Sequence, residues 1–372
     1  MKYNKLFAVL MILCSIRSYT DIINVNPDPK GEPWYTGGLV QNDENDLFLS
    51  ALPRMTIPDD DIGIDLPASY DITESEYFRN IFTQSDGSCA QASMIGYIYT
   101  YKANKVNNAT PATLPINQYP THFTYNFVNN NSGGRFSTFE QAIRISSELG
   151  IPNSEAWKEE TGDYLAGEIG IWMSGYEKYK EALHTKSKLT DQPNGGYVID
   201  VNCDDNQSAL ETLSNVKYYL SEQMVTDQNI SIDGPLSIGM NMGLGADYEF
   251  ALISLGIGNP IRYPMMINTD TDYNLVDHAL TVVGYDDNIG YDFNKDKKIN
   301  NSVDINGDRV VTLDEWELGA LKVVNSWGKD WPIDDESGEP IGEGYFYLPY
   351  RFIHKLTKYE FCRNGSRNRF NS

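Results

Sequence analysis

The stretch Gln84–Ser93, QSDGSCAQAS, decides how the rest of the chain is read. Glycine and serine precede Cys89, and apolar residues then recur at Ala92, Ile95, Ile98 and Tyr99. That spacing predicts an amphipathic helix opening at Cys89, with Ser88 as its N-cap. A thiol in the first turn of a helix faces the positive end of the dipole and free N–H groups, which favour the thiolate. The thiolate is the nucleophile, whereas a small buried thiol is inert. Which of the two Cys89 is depends on whether the chain supplies a base and a group to orient it.

Four histidines are available as that base. His184 lies in the charged run YKEALHTKSK and reads as a solvated surface residue. His354, in RFIHKL, reads the same way, and His122, among the aromatics of YPTHFTYNF, reads as a core histidine. His278 is different: it opens the β-rich run DHALTVVGYD, where a strand start can face a cleft. The run VVNSWGKDW then places Asn325 at the end of an apolar strand, with Trp327 two residues on. An asparagine there is able to accept from an imidazole N–H, and the indole to shield that bond from water.

Outward from these blocks, helical patterns dominate the first half. FEQAIRISSELG is a helix that stops at Gly150, and SALETLSNVKYYLSEQ is another over 208–223. After residue 234 the pattern becomes short strands broken by Gly, Asn and Asp: GPLSIGMNM, HALTVVGYD, ALKVVNSWG and GYFYLPY. Helices first and strands later give an α+β protein of two subdomains. LPASYDI at 66–72 starts the folded domain. Residues 19–65, rich in Pro, Asp, Asn and Gly, read as an extended leader or short pro-segment, and 361–372 as a tail.

GSCAQAS, DHALTVVGY, NSWG and GEGYFYL follow one another as the corresponding blocks do in the papain-like cysteine peptidases, and the chain resembles that family over roughly residues 66–350. The resemblance implies a helical subdomain carrying Cys89, packed on an antiparallel β-barrel-like subdomain carrying His278 and Asn325, with a cleft between. It implies Cys89 as nucleophile, His278 as base and later acid, and Asn325 as the group that orients the imidazole. Gln84 corresponds to the oxyanion-hole glutamine; losing one such donor typically costs about 10²–10³ in rate. Gly133 and Gly134 of NNSGGRF, with Ala279 and Trp327, correspond to substrate-cleft positions. The implied substrate is a peptide or protein, and no cofactor is needed for catalysis.

The chain also departs from the family. Ala90 stands where a large aromatic is usual, Asp86 where a cysteine is usual, and Gln84 sits one residue closer to the thiol. Ala90 and the shifted Gln84 motivate a second reading, a non-catalytic binding module on the same fold. Insertions around 158–205 and 287–318, and PIDDESGEPI, lengthen the spacing between blocks beyond the family's usual range.

The insertion 287–318 holds two adjacent 12-residue units, DFNKDKKINNSV and DINGDRVVTLDE. The second resembles an EF-hand loop, as dockerin repeats do. It offers Asp304, Asn306, Asp308, the Val310 carbonyl, Thr312 and Glu315 at positions 1, 3, 5, 7, 9 and 12. The first offers Asp292, Asn294 and Asp296 but has Val303 at position 12, so it reads as a half-site. Both lack the usual glycine at position 6, where Lys297 and Arg309 stand. The expected ion is a structural Ca²⁺, which takes six to eight oxygens.

Composition bounds the context. The N-terminal MKYNK and the apolar LFAVLMILCSI form a signal-peptide pattern over residues 1–18, so the expected location is secreted or periplasmic. Bulky Leu13 before Cys14 argues against a lipid anchor. Net charge is −23, and losing Lys2, Lys5 and Arg17 makes it more negative by three. Such a surface repels nucleic acid and anionic membranes. Beyond Cys14 the cysteines are Cys89, Cys203 and Cys362, an odd number; Cys203 and Cys362 are either bonded or two free buried thiols.

Overall fold

The computed structural model describes residues 22–24, 38–40, 42–52, 54–55, 57, 65–84, 87–129, 136–157, 176–188, 198–199, 205–221, 234–242, 248–254, 262–269 and 276–353. Its strands are β1 (Ile22–Asn24), β2 (Arg54–Met55), β3 (Ser69–Asp71), β4 (Val198–Ile199), β5 (Leu236–Met240), β6 (Tyr248–Ser254), β7 (Arg262–Thr269), β8 (His278–Gly290), β9 (Leu318–Val324) and β10 (Tyr345–Pro349). Its α-helices are α1 (Asp43–Ala51), α2 (Cys89–Gln91), α3 (Thr100–Asn107), α4 (Thr121–Asn129), α5 (Phe139–Leu149), α6 (Ser154–Trp157), α7 (Tyr176–Lys188) and α8 (Asn206–Leu220). The fold is α+β, as the order of patterns predicts.

One large sheet runs β1-β6-β7-β10-β9-β8-β3, with β5 also paired to β8. Two expectations are corrected. The sheet is mixed, because β10 and β7 pair in parallel at Tyr347 and Met265. Among the described residues it also ends at β1 and β3 rather than closing into a barrel. β8 is long because two short strands share one of its edges: β5 pairs with residues 278–282 and β3 with 284–286, while β9 takes the other edge. Gly284 permits this crossover of partners, since a Cβ there would stand 2.3 Å from the Tyr70 carbonyl oxygen. β6 and β7, which sequence patterning missed, extend the sheet on its far side.

The run after Cys89 is helical but not one α-helix. α2 passes into a π-helix over Ala92–Tyr99 and returns to α geometry in α3. Wider i→i+5 winding displaces the α-spaced stripe read from the sequence. Tyr97, off that stripe, is fully buried and stacks on Phe78 at 5.5 Å. Ser93, Gly96 and Thr100 are buried too, so the run threads the core between sheet and helices. Ser93 Oγ lies 2.7 Å from Ser237 Oγ and 2.8 Å from Thr281 Oγ1, pinning the run to β5 and β8.

Two helix ends match their sequence signals. α5 opens with a capping box of Thr138 and Gln141 and stops at Gly150, whose φ of 74° favours glycine. α8 is capped by Asp205, three residues before the predicted start. The leader is more structured than its composition suggests: α1, capped by Asn42, packs against α5, and Asn45 Oδ1 accepts from the Glu140 N–H at 3.1 Å. Among the described residues no helix is long and apolar enough to cross a membrane. The signal-peptide pattern, Cys203, Cys362, His354 and the glycines at 133 and 134 fall outside the described residues.

Candidate functional site

Cys89 opens the helical run and is fully buried. Ser88 does not cap it: its backbone is at φ −91°, ψ 11°, not the extended conformation of an N-cap, and its side chain makes no capping bond. Ala279, next to His278, packs on Cys89 together with Ala90 and Leu39. The first residues of β8 are thereby fixed against the first turn of the helix.

His278 is fully buried, with Nε2 2.8 Å from Asn325 Oδ1. The same Oδ1 accepts the Ser326 backbone N–H at 2.7 Å. An atom that accepts an amide proton is the carbonyl oxygen of Asn325, so Nε2 carries the imidazole hydrogen. Nδ1 keeps a lone pair and has no hydrogen-bond partner. Trp327 covers the ring, with centroids 4.5 Å apart and planes at 37°. The indole is fixed in turn by Trp331, edge-on at 5.4 Å.

Asn325 is placed from three sides. Its N–H donates to the Gly344 carbonyl at 2.9 Å, its own carbonyl accepts from Tyr97 Oη at 3.1 Å, and β9 leads directly into it. Gln84 is tied to the same loop: its N–H donates to Ser326 O at 2.7 Å, and its Oε1 accepts from Ser326 Oγ at 2.5 Å. Thr83 and Trp327 form an antiparallel bridge alongside. The structure therefore gathers Cys89, His278, Asn325, Gln84, Ala279 and Trp327 from segments far apart in sequence.

Beside these residues lies Ser137, which the sequence reading did not single out. Ser137 N donates to Gly38 O at 2.7 Å, and Val40 N donates to Ser137 O at 3.1 Å. Gly38 N and Leu39 N both reach Asp277 O at 2.7 Å. Residues 38–40 thus bridge Asp277 and Ser137, with Leu39 packed against Cys89.

Burial governs the charges here. It pushes the Cys89 thiol up to about 12, outweighing the backbone amides of Ala279, Gly38 and Ala90. It lowers His278 to about 4, against the hydrogen bond to Asn325. Contrary to the helix-dipole argument, thiol and imidazole are both neutral in this conformation. His122 is a buried core histidine, lowered to about 3 by burial, and His184 is exposed, as the sequence suggests.

The two inserted units adopt the same turn. In the second, Asp304 accepts from the amides of Gly307, Asp308 and Arg309, and Glu315 from those of Ile305, Asn306 and Thr312. In the first, Asp292 accepts from Asp296 and Lys297. Lys297 and Arg309, at the position where glycine is usual, take φ of 71° and 77°, so the left-handed turn forms without it. The first unit has a carboxylate nearby that its own twelve residues do not supply. Glu317 bonds the amides of Asn294 and Asn300, the counterparts of Asn306 and Thr312, and so stands where Val303 has no carboxylate. Among the described residues, no three His, Cys, Asp or Glu side chains are gathered as a metal cluster.

No family model matches the chain, and no curated protein matches it. Among solved structures it is similar to xylellain, a cysteine protease from Xylella fastidiosa, at 15% identity and a TM-score of 0.46, over 87% of this chain and 92% of that one. It is similar to procathepsin B S9 from Trypanosoma congolense at 16% identity and a TM-score of 0.46, over 88% and 87% of the two chains. It is similar to a digestive procathepsin L2 proteinase from the Tenebrio molitor larval midgut at 16% identity and a TM-score of 0.48, over 88% and 78%.

Proposed function

We propose that the chain is an exported cysteine peptidase of the papain-like kind, cleaving peptide bonds through Cys89, His278 and Asn325. The observation that carries this reading is the Asn325–His278 bond, which leaves Nδ1 with its lone pair on a strand whose next residue packs on Cys89. His278 takes the thiol proton as Cys89 attacks the substrate carbonyl. The protonated imidazole then gives that proton to the leaving amine, and water hydrolyses the acyl-enzyme. Asn325 holds the imidazole in the tautomer this sequence requires. The Cys89 backbone N–H and the Gln84 side-chain amide stabilise the oxyanion. Export is supported by the signal-like residues 1–18.

Cys89→Ala is expected to abolish both peptide hydrolysis and labelling by a thiol-directed epoxide. Hydrolysis retained in that variant would sink the assignment. The binding-module reading is favoured instead if the folded wild type, freed of its leader, is inert toward peptides, proteins and thiol reagents.

The twin turns between β8 and β9 belong to the same reading as Ca²⁺ loops. Their donors are the hard oxygens that calcium prefers. Asp304, Asn306, Asp308, the Val310 carbonyl, Thr312 and Glu315 would hold one ion; Asp292, Asn294, Asp296 and Glu317 would hold the other. Calcium supplies structure here, by fixing a long insertion between the His278 and Asn325 strands.

A further inference from the structure

We propose that Tyr97 is a positioning residue for His278: its hydroxyl holds the Asn325–Ser326 peptide group, and that group decides which ring nitrogen carries the hydrogen. The inference rests on the peptidase reading and adds the residue that keeps its base in working form.

The choice is made at the Asn325 amide. Its Oδ1 accepts from His278 Nε2 at 2.8 Å and from the Ser326 N–H at 2.7 Å. Turned end for end, the amide would present Nδ2 to both. That donor would oppose the Ser326 N–H and would take the lone pair of Nε2. The imidazole hydrogen would then sit on Nδ1, leaving no lone pair there for the thiol proton. The far end of the amide expresses no preference, because Nδ2 is buried without a partner in the present orientation. The Ser326 N–H therefore holds the tautomer, and it does so only while it points at Oδ1.

What fixes that direction lies on the same peptide. The Ser326 N–H and the Asn325 carbonyl are the two ends of one planar group. The carbonyl accepts from Tyr97 Oη at 3.1 Å. The Phe82 N–H donates to the same hydroxyl at 3.5 Å, which leaves the phenolic hydrogen for Asn325. Tyr97, Asn325, Ser326 and His278 are all buried, so a bond lost among them is not replaced by bulk solvent. One line of hydrogen bonds thus runs from Phe82 through Tyr97 and the peptide to the imidazole, and each bond polarises the next.

Tyr97 reaches Asn325 from the helical run that Cys89 opens. Ser93, earlier on that run, is bonded to β5 and β8. The Tyr97 ring packs on Phe78 and on Phe82, with centroids 5.5 and 4.8 Å away. Gly96 gives Phe82 room, since a Cβ there would stand 2.5 Å from its Cζ. These contacts hold the ring without the hydroxyl, so Tyr97→Phe removes the bond and keeps the packing.

The test uses the full chain as wild type, Tyr97→Phe and, as control, Tyr285→Phe. Tyr285 is another buried tyrosine whose hydroxyl donates to a backbone carbonyl, that of Pro67 at 2.9 Å. Histidine-labelled protein is examined by ring-nitrogen NMR at pH 7, with the His278 signals identified by their loss in His278→Gln. Turnover of a fluorogenic peptide mixture is measured on the same samples. Wild type is expected to carry the hydrogen on Nε2. In Tyr97→Phe the Nδ1–H form should appear, with kcat lower by about tenfold to a hundredfold and KM unchanged. Tyr285→Phe should match wild type in both. Wild-type tautomer populations in Tyr97→Phe, or the same shift in Tyr285→Phe, would overturn the proposal. If the tautomer shifts as expected and no sample turns over peptide, the positioning role stands and the peptidase reading falls. If Tyr97→Phe keeps both tautomer and turnover, the peptidase reading stands and the positioning role falls. Should Tyr97→Phe not fold, para-fluorophenylalanine at position 97 fills the hydroxyl's space without donating and decides by the same readouts.

Discussion

The hydrogen on His278 is assigned by Asn325, whose Oδ1 accepts from both Ser326 N–H and the imidazole. That assignment, more than the charge state, is what the resting structure contributes to chemistry. Burial keeps His278 and His122 neutral when folded, with values of about 4 and 3, against roughly 6.5 in an unfolded chain. The sign of the pH effect follows. Below about pH 6.5 the unfolded state binds protons that the folded state does not, so stability is full above that pH and falls with acid. Each imidazole loses up to about 1.4 kcal/mol per pH unit until its folded value is reached. Urea unfolding at pH 7 and pH 5 should therefore show a less stable protein at pH 5. His122→Gln should lessen that difference; an unchanged difference would mean that His122 is not held neutral.

At the level of elements, α5 matters because residues 38–40 pair with Ser137 just before its cap and α1 is bonded to its first turn. Its capping box satisfies two N–H groups: Gln141 N donates to Thr138 Oγ1, and Thr138 N to Gln141 Oε1. Thr138→Ala should cost about 1 kcal/mol, the usual loss for an N-cap, and Thr138→Ser should recover most of it. Denaturant midpoints check both. A full-sized loss in Thr138→Ser would show that the methyl group, not the cap, carries the effect. The helix at Cys89 shows the opposite case. Its start was legible from the apolar spacing, yet its π-winding was not: it accompanies the bonds of Ser93 to Ser237 and Thr281 and of Tyr97 Oη to the Asn325 carbonyl, partners far away in sequence.

Across the whole molecule, the sheet brings the β8 and β9 ends together at the site while the inserted units project between them. If those units hold calcium, stability depends on the ion by mass action. A free concentration a hundredfold above Kd adds about 2.7 kcal/mol. The thermal midpoint is expected to fall on chelation. Glu315→Ala and Glu317→Ala should each remove one equivalent of ion by elemental analysis. No change in midpoint and no bound metal would remove calcium from the account, and loss with Glu315→Ala alone would leave Glu317 a purely structural carboxylate.

The sequence by itself determined the helix opening at Cys89, the strands that present His278 and Asn325, and the two oxygen-rich turns. These rest on local signals: residue spacing, oxygen donors at fixed intervals, and strand runs bounded by Gly and Asn. Tertiary structure alone decided the rest. The Gln84–Ser326 bonds, Glu317 in place of Val303, and Gly38 against Gly87 all join residues that no periodicity relates. Charge was decided there as well. A helix N-terminus favours a thiolate wherever it meets solvent, but Cys89 is fully buried. Desolvation then exceeds the pull of the backbone amides and leaves the thiol protonated.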